Sequence, residues 1–392
     1  MTATLRPAPA RPPFWRDLRV IRVVIQIVAV VVVGLVMAWL WNNLTTNLRA
    51  RGLPMGFEFL DGPAGVNIAD NEFRASQPVR DALLVGIENT LALVVAGIPL
   101  LTIIGIVVGV SRLSTNWLIA KSAAGFVELL RNLPPLLIIF LVFNAVILEL
   151  PGLSESWSPF GLLVINNRRI SVLGFTASAG VGWFWGLVLV GVVIAFVVWR
   201  WRTKRFDETG EPHHRVLWAG GALLSAVVVA YLLTGSPVRI SLPVLDGRRI
   251  DGGFSGLGAY FGVLAALVLY TSSHVAEIVR GSIQAVSKGQ VEAADALSLS
   301  PFQRLRFVVL PQAFRIAIPP IINQYLNYTK NTSLAIAIGY AEITRIVNQA
   351  IGNANPAPQM ILILMLIYLV FSLTISAVSN VVNRRLQIVG RT

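Results

Sequence analysis

Long apolar runs separated by short polar intervals organise this chain. The first run, 23–41, has Gln26 as its one clearly polar residue, and others follow at about 83–110, 134–148, 181–199, 216–234, 257–276, 320–339 and 360–382. Since a helix rises ~1.5 Å per residue and a hydrocarbon layer is ~30 Å thick, the pattern predicts an all-α polytopic membrane protein with about eight transmembrane helices. The intervals 42–82, 151–180 and 235–257 are rich in Gly and Pro and read as loops on one side. After Arg112 and Lys121, an amphipathic stretch leads to Arg131-Asn132-Leu133-Pro134-Pro135, whose prolines suit a helix start because their missing N–H groups cost little there. The segment WRWRTKRFDETGEPHHR, 199–215, is the most basic internal loop.

Composition narrows the class. At 55% hydrophobic and 13% charged, with mean hydropathy +0.71, 392 residues do not make a soluble globular protein. The 32 Lys and Arg against 19 Asp and Glu give a net charge of +13. In a soluble chain this excess would suggest nucleic acid; in a lipid-embedded one it is positive-inside bias. With both termini cytoplasmic, 21 of the basic residues fall on the cytoplasmic side and 11 outside. Arg6, Arg11, Arg16, Arg19 and Arg22 flank the first run. That run is long for a signal peptide, no small-x-small cleavage site follows it, and Trp39 and Trp41 suit an aromatic belt, so it reads as an uncleaved anchor. Only four residues are Lys, and no basic run is interleaved with stacking aromatics, so a nucleic-acid partner is not expected.

Several chemistries are excluded or weakened. There is no Cys, and three His are too few for a metal centre. No Lys follows a Gly, so no phosphate-binding loop is present and no cofactor is expected in this chain. Gly253-Phe254-Ser255-Gly256 fits the GxSG nucleophile of intramembrane serine proteases, with His274 in the next helix. If 255–274 is one helix its ends lie ~28 Å apart, whereas a Ser–His pair must meet at ~3 Å, so Ser255 reads as a turn residue. An ion-coupled secondary transporter remains the alternative from another class, although no Pro/Gly-interrupted helices match between two halves.

The stretch 277–340 carries the richest chemistry. Ser287-Lys288-Gly289-Gln290 predicts a turn and 291–297 a short helix with Glu292 in its first turn, where the helix dipole favours a carboxylate. Ser298-Leu299-Ser300-Pro301 breaks it, and 302–309 forms a second short helix ended by Leu310-Pro311. With Ala293, Ala294, Leu297 and Leu299 between charges, the pair makes either a compact knob that fits a groove or an ordinary interfacial loop. Further on, Asn323, Asn327 and Asn331 recur at i, i+4 and i+8, with Gln324, Tyr328 and Lys330 beside them and Thr332 and Ser333 following. Such a polar stripe either binds helices together or lines a path for a zwitterion. Lys330 either attracts a carboxylate or snorkels to the interface. His274 is either an interhelical hydrogen-bonding residue or a path-lining one, and Glu277 either pairs with Arg280, gates, or meets the solute.

These residues match a family pattern. Glu292-Ala293-Ala294, the break six residues after that Glu, and Leu310-Pro311 resemble the EAA loop of the permease subunits of ABC importers. Glu88-Asn89-Thr90-Leu91, Arg131-Asn132-Leu133-Pro134, Glu277-Ile278-Val279-Arg280-Gly281 and Lys330-Asn331-Thr332-Ser333-Leu334 resemble the polar amino acid uptake branch. The extra first helix, Ile165-Asn166-Asn167-Arg168 and the 330–340 segment look most like a general L-amino acid permease. The resemblance implies the type I importer permease fold, divided into 1–82 (tail, first helix and external loop), 83–150, an insertion at 151–255 holding two helices, and 256–392 with the loop at 288–311. It further implies a bacterial inner-membrane subunit taking up L-amino acids. Its implied partners are a separate ATPase that docks on Gly289, Glu292, Ala293, Ala294, Ser298, Leu310 and Pro311 and hydrolyses the ATP, a periplasmic solute-binding protein, and a second permease subunit, identical or related. Four residues depart from the pattern: Ser298 replaces the family's Gly at the break, Ser287 a usual Pro, Ser282 a usual Gly, and His274 an aromatic or small residue. Ser tolerates positive φ less freely than Gly, at a cost of about 1 kcal/mol if the turn demands it.

Overall fold

A computed structural model describes residues 18–50, 52, 55–68, 73–177, 180–210, 214–235, 238–247 and 249–386. The basic flank Arg6, Arg11 and Arg16, His213 and Arg391 lie outside the described residues. Helices dominate: α1 (Leu18–Ala50), α2 (Val79–Ser111), α3 (Trp117–Arg131), α4 (Pro135–Val142, prolonged by a π turn Phe143–Ile147), α5 (Val181–Thr209), α6 (Arg215–Leu233), α7 (Gly258–Gln284), α8 (Lys288–Ala296), α9 (Pro301–Arg304), α10 (Leu310–Asn331), α11 (Ile343–Gly352) and α12 (Ala357–Leu386). Seven helices among the described residues are long and apolar enough to cross a membrane, and α3 with α4 supplies an eighth only as a pair bent by 107°. The expected third span is therefore a broken one. Pro134 and Pro135 lack the donors that would continue α3, so α4 starts afresh in a new direction.

α7 is the internal helix, with Val263, Ala266, Leu267, Val275 and Ala276 fully buried. α2 lies beside it in the same direction: Tyr260 Oη donates to the Ala92 carbonyl, while Gly105 and Gly109 sit against Val275 and Ala276 about four helical turns further along both helices. Small residues let two membrane helices approach closely where water supplies no driving force. α10 runs the opposite way, since Tyr328 Oη donates to the Leu93 carbonyl at 2.9 Å and Tyr325 and Thr102 hydroxyls meet at 2.8 Å. α4 is antiparallel to α7, with Ile147 against Gly258. These directions alternate as eight spans require.

The two long connections around α5 and α6 correct the all-α expectation locally. They contain β1 (Leu163–Ile165), β2 (Arg169–Val172), β3 (Gly174–Ala177), β4 (Val238–Ser241), β5 (Val244–Asp246), β6 (Arg249–Asp251) and β7 (Phe254–Leu257), in antiparallel sheets ordered β1-β2-β7, β3-β4 and β5-β6. Loops this long must satisfy their backbone groups, and pairing the segment before α5 with the segment after α6 does so. Ser255 lies in β7, where its hydroxyl accepts from Ser171 at 2.8 Å rather than turning toward a histidine. α5 and α6 pack chiefly on each other.

On the face that carries the sheets, Ala64, Val66 and Phe73 pack on Ile343, Ile346 and Val347 of α11. Glu342 caps α11: its carboxylate accepts the backbone N–H groups of Thr344 and Arg345, each at 2.9 Å, and the Tyr368 hydroxyl at 3.2 Å. Burial outweighs these bonds and pushes the carboxyl up to about 7. Because the folded value is raised, the native state binds the extra proton. Stability is then full below the ordinary carboxylate range and falls as pH rises through about 7. Thermal melting of the purified protein should show a decline between pH 5 and 8 that Glu342→Gln flattens; an equally steep decline in that variant would refute the assignment.

Candidate functional site

Three groups of residues converge on the segment joining α7 to α10. The first is the knob. α8 ends in a Schellman-type turn, with Ser298 N–H bonding the Asp295 carbonyl at 2.9 Å and Leu299 N–H the Ala294 carbonyl at 3.2 Å. Ser298 takes the left-handed position of that turn at φ 57°, the strained role expected for it. Two residues on, Ser300 and Gln303 form a reciprocal capping box around Pro301, which starts α9. Arg304 then donates to both Asp295 oxygens at 2.7 and 2.9 Å and clamps α9 to α8. Underneath, Val286, Val309 and Ala313 form a small apolar core, and Ala294 is buried.

The knob is thus rigid, and it offers a surface. Gly289, Glu292 and Ala293 face outward with Leu297, 75% exposed, and Phe302, 66% exposed. Glu292 has no ion-pair or hydrogen-bond partner among the described residues. An ordinary membrane-interface loop would not need two caps and a bidentate ion pair to hold one shape.

Leu310-Pro311 does not end the second short helix. A π turn, Leu305–Val309, carries α9 directly into α10. Its Leu310 N–H reaches back to the Leu305 carbonyl, and this wider turn admits Pro311 early in α10 without a helix break. α10 consequently begins ten residues before the expected start at 320, and Pro319-Pro320 lie inside it. It ends earlier too, at Asn331, with a 3-10 segment (Thr332–Ile338) closed by Gly339 at φ 80°.

The second group is a charge cluster at the knob end of α7. Glu277 is hydrogen-bonded to Arg112 of α2 and to Arg280, and Arg131 of α3 stands 3.7 Å away. One carboxylate therefore holds three guanidinium groups from three helices. Arg112 and Arg131 were not singled out for this role in the sequence, because proximity to Glu277 depends on how α2 and α3 pack on α7. His274, one turn earlier, is half-buried, and its Nδ1 faces the Tyr270 carbonyl of its own helix at 3.2 Å.

The third group is the polar stripe of α10, which the fold divides. Asn323, Asn327 and Lys330 are exposed; Gln324 and Asn331 are half-buried, and none of the five has a side-chain hydrogen bond among the described residues. Tyr328 and Thr332 turn inward, the latter donating to the Thr329 carbonyl at 2.7 Å, while Ser333 donates to that of Lys330 at 2.8 Å. The exposed amides do not bind this chain's own helices together.

Comparison with known proteins bears on this geometry. Residues 101–388 match the model of the family described as binding-protein-dependent transport system inner membrane component. The chain belongs to this family. It is 37% identical to a general L-amino acid transport system permease protein of Rhizobium johnstonii, over 93% of this chain and 92% of that one. It is 35% identical to a glutamate/glutamine/aspartate/asparagine transport system permease protein of Rhodobacter capsulatus, over 96% of both chains. A crystal structure described as an amino acid ABC transporter with histidines is similar at 19% identity, with a TM-score of 0.47, covering 78% of this chain and 94% of that one. The matched region of this inner membrane component contains the knob, the charge cluster and the polar face together.

Proposed function

We propose that this family member is the permease subunit of an ATP-driven importer of L-amino acids in a bacterial inner membrane, with both termini cytoplasmic. A separate ATPase subunit would seat the knob, a periplasmic binding protein would deliver solute to the opposite face, and a second permease subunit, identical or related, would cover the exposed face of α10. The observation that carries this reading is the continuity of α7, the knob and α10. A rigid, outward-facing contact is built into the same stretch of chain as the charge cluster and the exposed amides, so a push on the knob moves both helices as levers. No phosphate-binding loop is present in the sequence, which supports an outside motor and leaves this chain without a nucleotide cofactor of its own.

In this mechanism Asn323 and Asn327 donate to and accept from the zwitterionic backbone of the solute, and Lys330 draws its carboxylate from the external end. The charge cluster closes the cytoplasmic end of the path in the resting state. Glu292→Lys, or deletion of 291–299, is expected to abolish co-purification of the ATPase subunit and ATP-dependent amino acid uptake in proteoliposomes containing the complete transporter. Undiminished co-purification would sink the docking assignment, and uptake by this chain alone under an ion gradient would favour a secondary transporter instead.

A further inference from the structure

The inserted hairpin of α5 and α6 has a built end with no part in the transport reading. α5 and α7 both start beside the sheets and run 29 and 27 residues, so the far end of the hairpin lies on the knob's side of the molecule. There Trp199-Arg200-Trp201-Arg202 alternates aromatic and basic residues, which corrects the expectation that the chain has no such run. The aromatic faces are already occupied. Arg202 lies between Trp201 and Trp218, at 5.4 and 4.4 Å from the ring centres; Arg205 lies over Trp201 at 4.6 Å and Arg215 over Trp199 at 5.6 Å. Rings covered in this way do not stack on nucleic-acid bases.

What remains open is a shallow, open-sided groove along one outward face of α5 alone, bordered by Phe196, Val197, Arg200, Thr203, Lys204 and Asp207, among others. Its chemistry is graded by depth. Phe196 and Val197 are exposed and continue the lipid-facing surface of the helix, while Arg200 and Lys204 follow one and two turns later. Lys204 has only a loose, exposed pairing with Glu208 at 3.8 Å, and Arg200 has no ion pair among the described residues.

We infer that this groove holds the headgroup of an anionic phospholipid of the adjoining leaflet, with the phosphate between Arg200 and Lys204 and the acyl chains along Phe196 and Val197. Asp207, at the aqueous end, is placed to accept from headgroup hydroxyls, which favours a glycerol headgroup. The alternation of apolar, basic and polar residues along one helix face matches the layering of a bilayer surface, and a soluble acidic protein would leave the apolar part of the groove unused.

The test is native mass spectrometry of the full-length chain, delipidated in detergent and titrated with phosphatidylglycerol or chain-matched phosphatidylcholine. Wild-type protein should retain phosphatidylglycerol with about tenfold preference, and Arg200→Gln/Lys204→Gln should lose that preference while the hairpin keeps its melting temperature. Equal retention of the two lipids by wild-type protein, a comparison that needs no variant, would overturn the inference. So would displacement of the lipid by millimolar inorganic phosphate, which would mark a free-anion site, or by a single-stranded oligonucleotide. An unchanged preference in the double variant would place the lipid elsewhere.

Discussion

Glu277→Ala is expected to lower the stability of the purified permease by about 2–4 kcal/mol, a drop of many degrees in melting temperature. The reason is charge balance at the end of α7. Among the described residues Glu277 is the only acidic partner of Arg112, Arg280 and Arg131, and the Arg112 side chain is just 14% exposed. Without the carboxylate, three guanidinium groups face one another in a partly desolvated space, and breaking such a pair costs more than the pair is worth intact. The side chain of Glu277 is itself 26% exposed, which screens part of the effect and sets the estimate below that for a fully buried pair. The double variant Glu277→Ala/Arg112→Ala should recover part of the loss, because it removes the most buried uncompensated charge. If the single and double variants melt together at the wild-type temperature, the cluster is not a structural lock. Uptake measured alongside separates the gate: Glu277→Gln, which keeps one acceptor, should fold better than Glu277→Ala yet still leak solute.

Gly97→Val should be the most disruptive single substitution in the membrane core. A Cβ at Gly97 would lie 1.8 Å from Tyr328 Oη and 2.2 Å from its Cζ, so even alanine cannot be accommodated without moving the ring. Tyr328 is fully buried and its hydroxyl is bonded to the Leu93 carbonyl, which leaves it no alternative position. Overpacking of this kind costs about 1–3 kcal/mol or more, added to a separation of α2 from α10. Membrane expression and the melting temperature of Gly97→Ala and Gly97→Val report the effect. Tyr328→Leu combined with Gly97→Ala should restore much of the loss. Wild-type expression and melting of Gly97→Val would show that α2 and α10 do not meet there.

Much of this was legible along the chain because membrane helices announce themselves by composition: every run from 23–41 to 360–382 became a helix or part of one. The knob was legible for a different reason. Caps and breaks are local chemistry, and Ser298-Leu299-Ser300-Pro301 ends one helix and starts another with residues that act within a few positions of themselves. Leu310-Pro311 misled because a proline is ordinarily a stop signal, and the π turn that accommodates it depends on the fold of the preceding segment. The stripe on α10 was visible as a period of four, yet which of its members face outward depends on where α2 packs.

The amino-acid sequence alone thus determined the class of protein, the apolar runs, the family pattern and the charged knob, since each rests on local composition and spacing, while the break in the third span came from the structure. Only the tertiary structure decided that Arg112, Arg131 and Arg280 converge on Glu277, that Gly97, Gly105 and Gly109 make room for particular neighbours, and that Asn323 and Asn327 are left uncovered. These are contacts between residues far apart in the chain, and in a bilayer, where apolar surface is cheap to expose, pattern alone does not say which helix faces meet.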